Sequence, residues 1–179
     1  MNKRWKPNVT VAAVIERDFD GIRKFLLVEE ETRDGLKLNN PAGHLDPGES
    51  PMQGCTRETL EETAFHFTPT ALVGGYLSPS SLVCVFLSRF ERVQPGEELP
   101  LDVTYLRFSF CGDLGAHVAG QALDKGIVRA VWLTVGEIRD SAPMHRSPLV
   151  LTSLEDYLAG RRFPLDVIRT DPSVLLPKK

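Results

Sequence analysis

Three glutamates in the middle of the sequence have a spacing that suits metal chemistry. Residues four apart are neighbours on a helix, so Glu58 and Glu62 share one face and Glu61 projects from the edge of the same turn. Like charges at this spacing destabilise a helix unless a cation offsets their repulsion. Mg²⁺ takes oxygen ligands and leaves other positions to water and substrate phosphates. The spacing therefore predicts a divalent metal site for phosphate chemistry, although the charge pattern alone also fits a solvated helix face.

The residues before these glutamates predict both a helix and a tightly specified loop in front of it. Ser50 is a good N-cap, Pro51 suits the first helical position, and Gln53 completes a capping box, so a helix is predicted to begin at Pro51. Prolines and glycines in residues 41–48 demand a tight backbone immediately before it. A purely structural, exposed helix needs no such approach, and this favours the metal interpretation.

Loop and helix together resemble the Nudix box, G-x5-E-x7-R-E-U-x-E-E-x-G-U, in which U is an aliphatic residue. The residues that match it in spacing and type are Gly43, Glu49, Arg57, Glu58, Glu61, Glu62 and Phe65. Two positions depart from the pattern: Thr59 replaces an aliphatic residue, which is expected to weaken the packing of the helix, and Ala64 replaces the glycine that ends it. Because a non-glycine residue in a left-handed conformation costs about 1 kcal/mol, we expect a slightly altered helix end and an intact metal site.

This resemblance implies a reaction and roles for the matching residues. Nudix enzymes hydrolyse a nucleoside diphosphate linked to another group, with water as the attacking group and Mg²⁺ or Mn²⁺ as the cofactor. The implied metal ligands are Glu58, Glu61, Glu62 and the carbonyl of Gly43. The implied catalytic residues are Glu61, which binds a further metal or helps to activate water, and Arg57, which orients the glutamates with Glu49 as its partner.

Further segments resemble a bacterial branch of the same family, the phosphatase NudJ branch. They span residues 6–12, 29–32, 39–44, 146–150 and 163–165, so the similarity covers most of the chain. It implies release of phosphate from nucleoside di- and triphosphates and from hydroxymethylpyrimidine diphosphate. Two alternatives stay open: a pyrophosphatase of ADP-ribose, nucleotide sugars or dinucleoside polyphosphates, and a non-catalytic nucleotide-sensing domain, against which the intact glutamates speak.

Several basic residues are candidates for contact with a polyanionic substrate. Lys6, Arg17 and Lys37 are candidate phosphate contacts, and His44 borders the site because it follows Gly43. Each of the three cations also fits plain surface charge. The region from residue 78 to residue 102 is predicted to form an extra strand or a cover over the pocket, or an ordinary strand with an acidic loop. An acidic residue in 91–102 would rival Glu61 as general base if it reached the metal.

Strand and helix signals interleave along the chain. Strands are predicted at residues 8–16 and 23–28, which resemble a hairpin, and at 104–110 and 127–133, and further helices are predicted after Thr134 and Pro148. The strand at 104–110 is predicted to be half-buried, with Leu106, Phe108 and Phe110 on its apolar face. This order predicts an α/β fold with a mixed sheet flanked by helices, and the resemblance implies the α/β/α sandwich of the Nudix fold.

Composition limits the remaining possibilities. The 179 residues, 42% hydrophobic and 25% charged, are ordinary for one globular domain spanning residues 1–179. A net charge of −3 argues mildly against nucleic-acid binding, and the absence of a long apolar run or a secretory pattern argues against a membrane partner. Three widely spaced cysteines in apolar surroundings predict reduced thiols and a cytoplasmic protein. A small-molecule substrate is the expected partner, and both monomer and homodimer stay open.

Overall fold

The computed structural model describes residues 5–79 and 104–175. Its strands are β1 (Asn8–Val14), β2 (Glu16–Phe19), β3 (Ile22–Thr32), β4 (Gly35–Asn39), β5 (Ala42–His44), β6 (Phe65–Pro79), β7 (Thr104–His117) and β8 (Ile127–Thr134). Its α-helices are α1 (Pro51–Thr63), α2 (Val135–Asp140) and α3 (Leu149–Leu158). Short 3₁₀ turns follow at Ala142–Met144, Leu165–Val167 and Pro172–Leu175.

The strands form two sheets. In the first, the order is β5-β1-β7-β6, with β1 parallel to β7 and the other two pairs antiparallel, so this sheet is mixed as predicted. In the second, β3 pairs antiparallel with β2, β4 and β8. The chain passes from one sheet to the other at Ile15, between β1 and β2.

Helices cover both faces of the strand layer, which gives the α/β/α sandwich that the resemblance to the Nudix family implied. Side chains alternate along β3, so Leu26 packs in a cluster with Cys55 of α1, whereas Phe25 packs in a second cluster with Leu154 of α3. Helix α2 contributes Ile138 to that second cluster. Burial on both faces explains why the central strands are almost continuously apolar.

The predicted hairpin forms, but with different partners. Phe19 pairs with Ile22 across Asp20 and Gly21, whose φ angles of 51° and 84° match the two-residue turn that favours such sequences. The strands of the hairpin are therefore β2 and β3, and the prediction that the segment from residue 8 formed one of its arms was wrong. The break after Val14 sends β1 into the other sheet, where it pairs with β5 and β7.

Strand β7 corrects a second expectation. Phe110 is fully buried as predicted, but Ser109 on the opposite face is also inaccessible to solvent. The strand is therefore buried on both faces at its centre, from Ser109 to Cys111. Arg107, on the same face as Ser109, lines a cavity described below.

The remaining helix signals are confirmed. Thr134 and Glu137 form the predicted capping box of α2. Helix α3 runs to Leu158, and Gly160 follows it at a φ of 80°, which suits the predicted stop. Among the helices of residues 5–79 and 104–175, none combines the length and the apolar character needed to cross a bilayer. The predictions for residues 80–102, including the rival general base, lie outside the described residues.

Candidate active site

Helix α1 presents the acidic residues, and its ends follow from local sequence. Ser50 Oγ accepts a hydrogen bond from the Gln53 amide at 3.2 Å, and Gln53 Oε1 accepts one from the Ser50 amide at 2.8 Å. At the other end, Ala64 adopts the left-handed conformation, with φ 57° and ψ 17°, and its amide donates to the Leu60 carbonyl at 2.9 Å. Ala64 therefore takes up the backbone conformation that the glycine of the motif favours.

Thr59 fits the core better than the sequence suggested. The residue is inaccessible to solvent, and its hydroxyl donates to the Cys55 carbonyl at 2.8 Å, one helical turn earlier. Since the buried hydroxyl has a partner, the departure from an aliphatic residue leaves no unsatisfied polar group on this face of α1.

Arg57 holds the loop and the helix together. Its Nε and Nη2 donate to the two carboxylate oxygens of Glu49 at 3.0 and 2.7 Å, a bidentate pair. Its Nη1 donates to Glu58 at 2.8 Å and to Glu61 at 2.9 Å, and Nη2 also reaches the His44 carbonyl at 2.9 Å. The hydrogen bonds that Arg57 donates to Glu49, Glu58 and Glu61 raise the pKa of Arg57. The guanidinium thus fixes three carboxylates at once.

Glu58 and Glu62 are buried acids, with 8% and 7% of each residue exposed. Glu62 accepts a hydrogen bond from the Ala42 amide at 2.8 Å. Burial raises its pKa to about 8, and repulsion from Glu58, Glu30 and Asp124 acts in the same direction. Burial likewise raises the pKa of Glu58, against the opposing effect of Arg57. Two neighbouring carboxylates in this setting favour either a proton or a cation.

The donor set fits a hard divalent cation, although protein groups hold the carboxylates. Across residues 5–79 and 104–175, no three acidic, histidine or cysteine side chains converge as the ligands of one metal ion. Glu58 and Glu61 instead bond to Arg57, and Glu62 bonds to Ala42. Oxygen donors are nevertheless what Mg²⁺ and Mn²⁺ prefer. Gly43 completes the arrangement, because a Cβ there would overlap the Glu58 carboxylate.

A cavity of about 220 Å³ opens beside Gly43, between the two sheets. Its polar lining includes Thr10, Glu30, Asn39, His44, Arg107 and Arg146. Burial lowers the pKa of Arg107 to about 10, with Glu30 and Glu62 opposing that shift, so the guanidinium stays charged at neutral pH. Arg146 Nε lies 3.4 Å from Glu30 Oε1. Among the described residues that line the cavity, Arg107 and Arg146 carry positive charge and Glu30 carries negative charge. The lining therefore has a net positive charge, which suits an anionic ligand.

The structure brings only one of the predicted substrate contacts to this cavity. His44 lines it, with its ring centroid 6.0 Å from that of Tyr105. Arg17 instead lies over the rings of Phe65 and Trp132, at 5.4 and 5.2 Å from their centroids. Lys37 points towards the Pro143 carbonyl at 3.4 Å, and Lys6 is exposed near the start of β1.

Sequence reasoning missed Glu30, Arg107 and Arg146, and also Asp124, which is close enough to repel Glu58 and Glu62. A signal existed for Arg107, since an arginine within a predicted apolar strand requires an explanation. Glu30 and Arg146 lie within segments that already showed similarity to the NudJ branch, but nothing in their local pattern separates them from surface charges.

Comparison with known proteins identifies the family. The model of the NUDIX domain matches residues 6–151. Phosphatase NudJ of Escherichia coli strain K12 is 31% identical over 164 residues, which cover 92% of each chain. A NUDIX hydrolase structure from Nitrosomonas europaea is 46% identical, with a TM-score of 0.78 over 93% of this chain and 98% of that chain.

A more distant structure supports the fold alone. The NUDIX domain of Shewanella oneidensis NrtR, complexed with ADP ribose, is 19% identical, with a TM-score of 0.55 over 87% of this chain and 88% of that chain. With the family match spanning most of the chain and a relative at 46% identity, the protein belongs to the NUDIX family and is a hydrolase of phosphoanhydride bonds.

Proposed function

We propose that this protein releases phosphate from the terminal phosphoanhydride of nucleoside di- and triphosphates, or of related small diphosphates such as hydroxymethylpyrimidine diphosphate. The observation that carries the proposal is the cavity itself, where Arg107 and Arg146 lie beside Gly43 and the acidic face of α1. The relative named phosphatase NudJ, aligned over 92% of the chain, supports the same reaction. It also favours an enzyme over a nucleotide sensor.

Size separates this proposal from the main alternative. The cavity that the described residues enclose, about 220 Å³, is smaller than the roughly 300–1,000 Å³ of sites that enclose drug-sized ligands. A phosphate chain with one ring therefore suits it better than ADP-ribose or a dinucleoside polyphosphate, each of which carries a second large group. The alternative predicts two phosphorylated organic products instead of orthophosphate.

Nudix hydrolases generally use divalent metal ions, and we propose Mg²⁺ or Mn²⁺ here. Glu58 and Glu62 would hold it, with Glu61 and the Gly43 carbonyl as further ligands. When bound, such an ion neutralises phosphate charge and acidifies its water.

The chain's own residues supply position and proton transfer. Arg57 and Glu49 keep the carboxylates in place through the hydrogen bonds described above. Glu61 is the candidate general base, because its side chain keeps 38% exposure and so remains accessible to water. Arg146 lines the same cavity and would neutralise charge on the phosphate chain of the substrate.

The two described cysteines bear on the cellular compartment of the enzyme. Cys55 and Cys111 are free, buried thiols, and burial raises the pKa of both. Such thiols persist in a reducing compartment, so we propose the cytoplasm. We further propose a single domain over residues 1–179 that acts on small molecules and binds neither nucleic acid nor membrane, as a monomer or a homodimer.

A product screen tests this function. Nucleoside di- and triphosphates, hydroxymethylpyrimidine diphosphate and ADP-ribose are each incubated with enzyme and Mg²⁺ or Mn²⁺, with and without EDTA. We expect orthophosphate as the only inorganic product, lost with EDTA and restored by excess metal. Cleavage of ADP-ribose to two monophosphates, without phosphate release from the other substrates, would establish the alternative.

A further inference from the structure

The cavity beside Gly43 contains an unusual number of buried polar atoms without hydrogen-bond partners. They are Thr10 Oγ1, Asn39 Oδ1, Arg107 Nε and Nη1, Ser147 Oγ, and Glu30 Oε1, which has an ion-pair contact with Arg146 Nε at 3.4 Å but no hydrogen bond. Most buried polar groups in native proteins are paired, because leaving one unpaired costs about 1–3 kcal/mol. Several such atoms around one space indicate that a ligand completes their hydrogen bonds.

The atoms without hydrogen bonds are acceptors on one sheet and donors on the other. Glu30 on β3 and Asn39 on β4 offer acceptor oxygens, and only 5% of Asn39 is exposed. Arg107, on β7 of the other sheet, offers two N–H donors. A ligand between the sheets would therefore satisfy these atoms if it offered a hydrogen-bond donor to Glu30 and Asn39 and an acceptor to Arg107.

A phosphate group does not meet this requirement. It offers only acceptors, which would satisfy Arg107 but would face the oxygens of Glu30 and Asn39. A heterocycle with an amino group next to an unprotonated ring nitrogen meets it, because the amino group donates and the ring nitrogen accepts. The rings of His44 and Tyr105, which also line the cavity, offer faces for such a ring to contact.

We propose that Glu30, Asn39 and Arg107 select substrates whose ring carries an amino group beside a ring nitrogen, as in cytosine, over rings with a carbonyl beside N–H, as in uracil. This deepens the proposed function, on which it rests, by assigning its ring specificity to three residues. Uracil would set its carbonyl against the acceptors and its N–H against Arg107, so both hydrogen bonds would be lost.

Binding and turnover of matched nucleotides test the inference separately from the reaction. Calorimetry compares CMP with UMP, and phosphate release compares CDP with UDP. For the wild-type protein we expect a preference of at least about tenfold for the cytosine nucleotide in both measurements, since sites built to hydrogen-bond a group discriminate strongly against its absence.

Two variants and a control assign the preference to the cavity. Glu30→Gln keeps the size of the side chain but adds an N–H donor that can face the uracil carbonyl, so the preference is expected to fall to about equality. Asn39→Leu removes an acceptor and is expected to weaken CMP binding more than UMP binding. Glu29→Gln is the matched control, because the neighbouring Glu29 pairs with Arg129 away from the cavity, and it is expected to keep the wild-type ratio.

Each outcome has a definite meaning. Equal affinity of the wild-type protein for CMP and UMP overturns the inference, even if a variant does not fold. If Glu30→Gln keeps the wild-type ratio of CMP to UMP affinity, the inference is also overturned. If this variant in addition loses turnover equally with CDP and UDP, the result indicates a metal-binding role for Glu30. Preference for CMP without phosphate release from CDP supports the ring specificity and refutes the proposed reaction alone.

Discussion

Replacing Gly43 with alanine tests whether the position of the Glu58 carboxylate controls the reaction. A Cβ on residue 43 would overlap all three carboxyl atoms of Glu58, far inside the 3.0 Å below which real Cβ atoms essentially never approach. The φ angle of Gly43 lies outside the left-handed region, so alanine fits the backbone itself. The substitution therefore acts by displacing one carboxylate.

The size of the effect follows from that displacement. A shift of about 1 Å in a catalytic group costs about 100-fold in rate, so we expect kcat to fall about 100-fold. Stability is expected to fall by about 1–3 kcal/mol, because displacing the buried Glu58 carboxylate weakens the hydrogen bond that it accepts from Arg57. The lower entropy of the unfolded alanine chain returns about 0.4–1 kcal/mol.

Phosphate release under saturating metal and substrate measures kcat, and thermal unfolding measures stability. Gly75→Ala is the matched control, because its Cβ would lie 3.8 Å or more from the Phe108 ring, an ordinary contact. We expect that control to keep the wild-type rate. A folded Gly43→Ala enzyme with wild-type kcat would show that Glu58 does not need its observed position.

Four further substitutions test two of the carboxylates, their arginine and a buried histidine. Glu58→Gln and Glu62→Gln keep the size of the side chain but weaken metal binding, so kcat is expected to fall at least about 100-fold. Thermal unfolding without metal is expected to show no loss of stability. Wild-type rates in both variants would refute the metal assignment. Arg57→Lys keeps the charge but loses the bidentate bond to Glu49, and urea unfolding is expected to show a loss of about 2 kcal/mol, an unchanged midpoint being the contrary result. Burial lowers the pKa of His145 below its usual 6.5, so the unfolded chain takes up a proton that the folded protein resists. The contribution of neutral His145 to the free energy of unfolding is therefore fully present above pH 6.5 and is lost as the pH falls below that value. His145→Gln is expected to flatten this decline, as measured by urea unfolding at several pH values. An equally steep decline in the variant would count against the assignment.

Local sequence was sufficient for the features that depend on neighbours along the chain. Ser50 and Gln53 start α1 through bonds between residues three apart, and Ala64 ends it through the conformation of a single residue. The family motif placed the glutamates on that helix for the same reason. The predicted hairpin failed in one arm because the break after Val14, which sends β1 to another sheet, depends on distant strand partners.

The sequence by itself therefore determined the acidic helix, its caps and the kind of reaction, since these rest on spacing within residues 43–65. Only the tertiary structure decided which basic residues share the cavity. Arg107 and Arg146 reach it, and Arg17 and Lys37 contact other parts of the surface. The pairing of β1 with β7 and the packing of the two sheets bring together residues more than 60 positions apart, and no local pattern encodes those contacts.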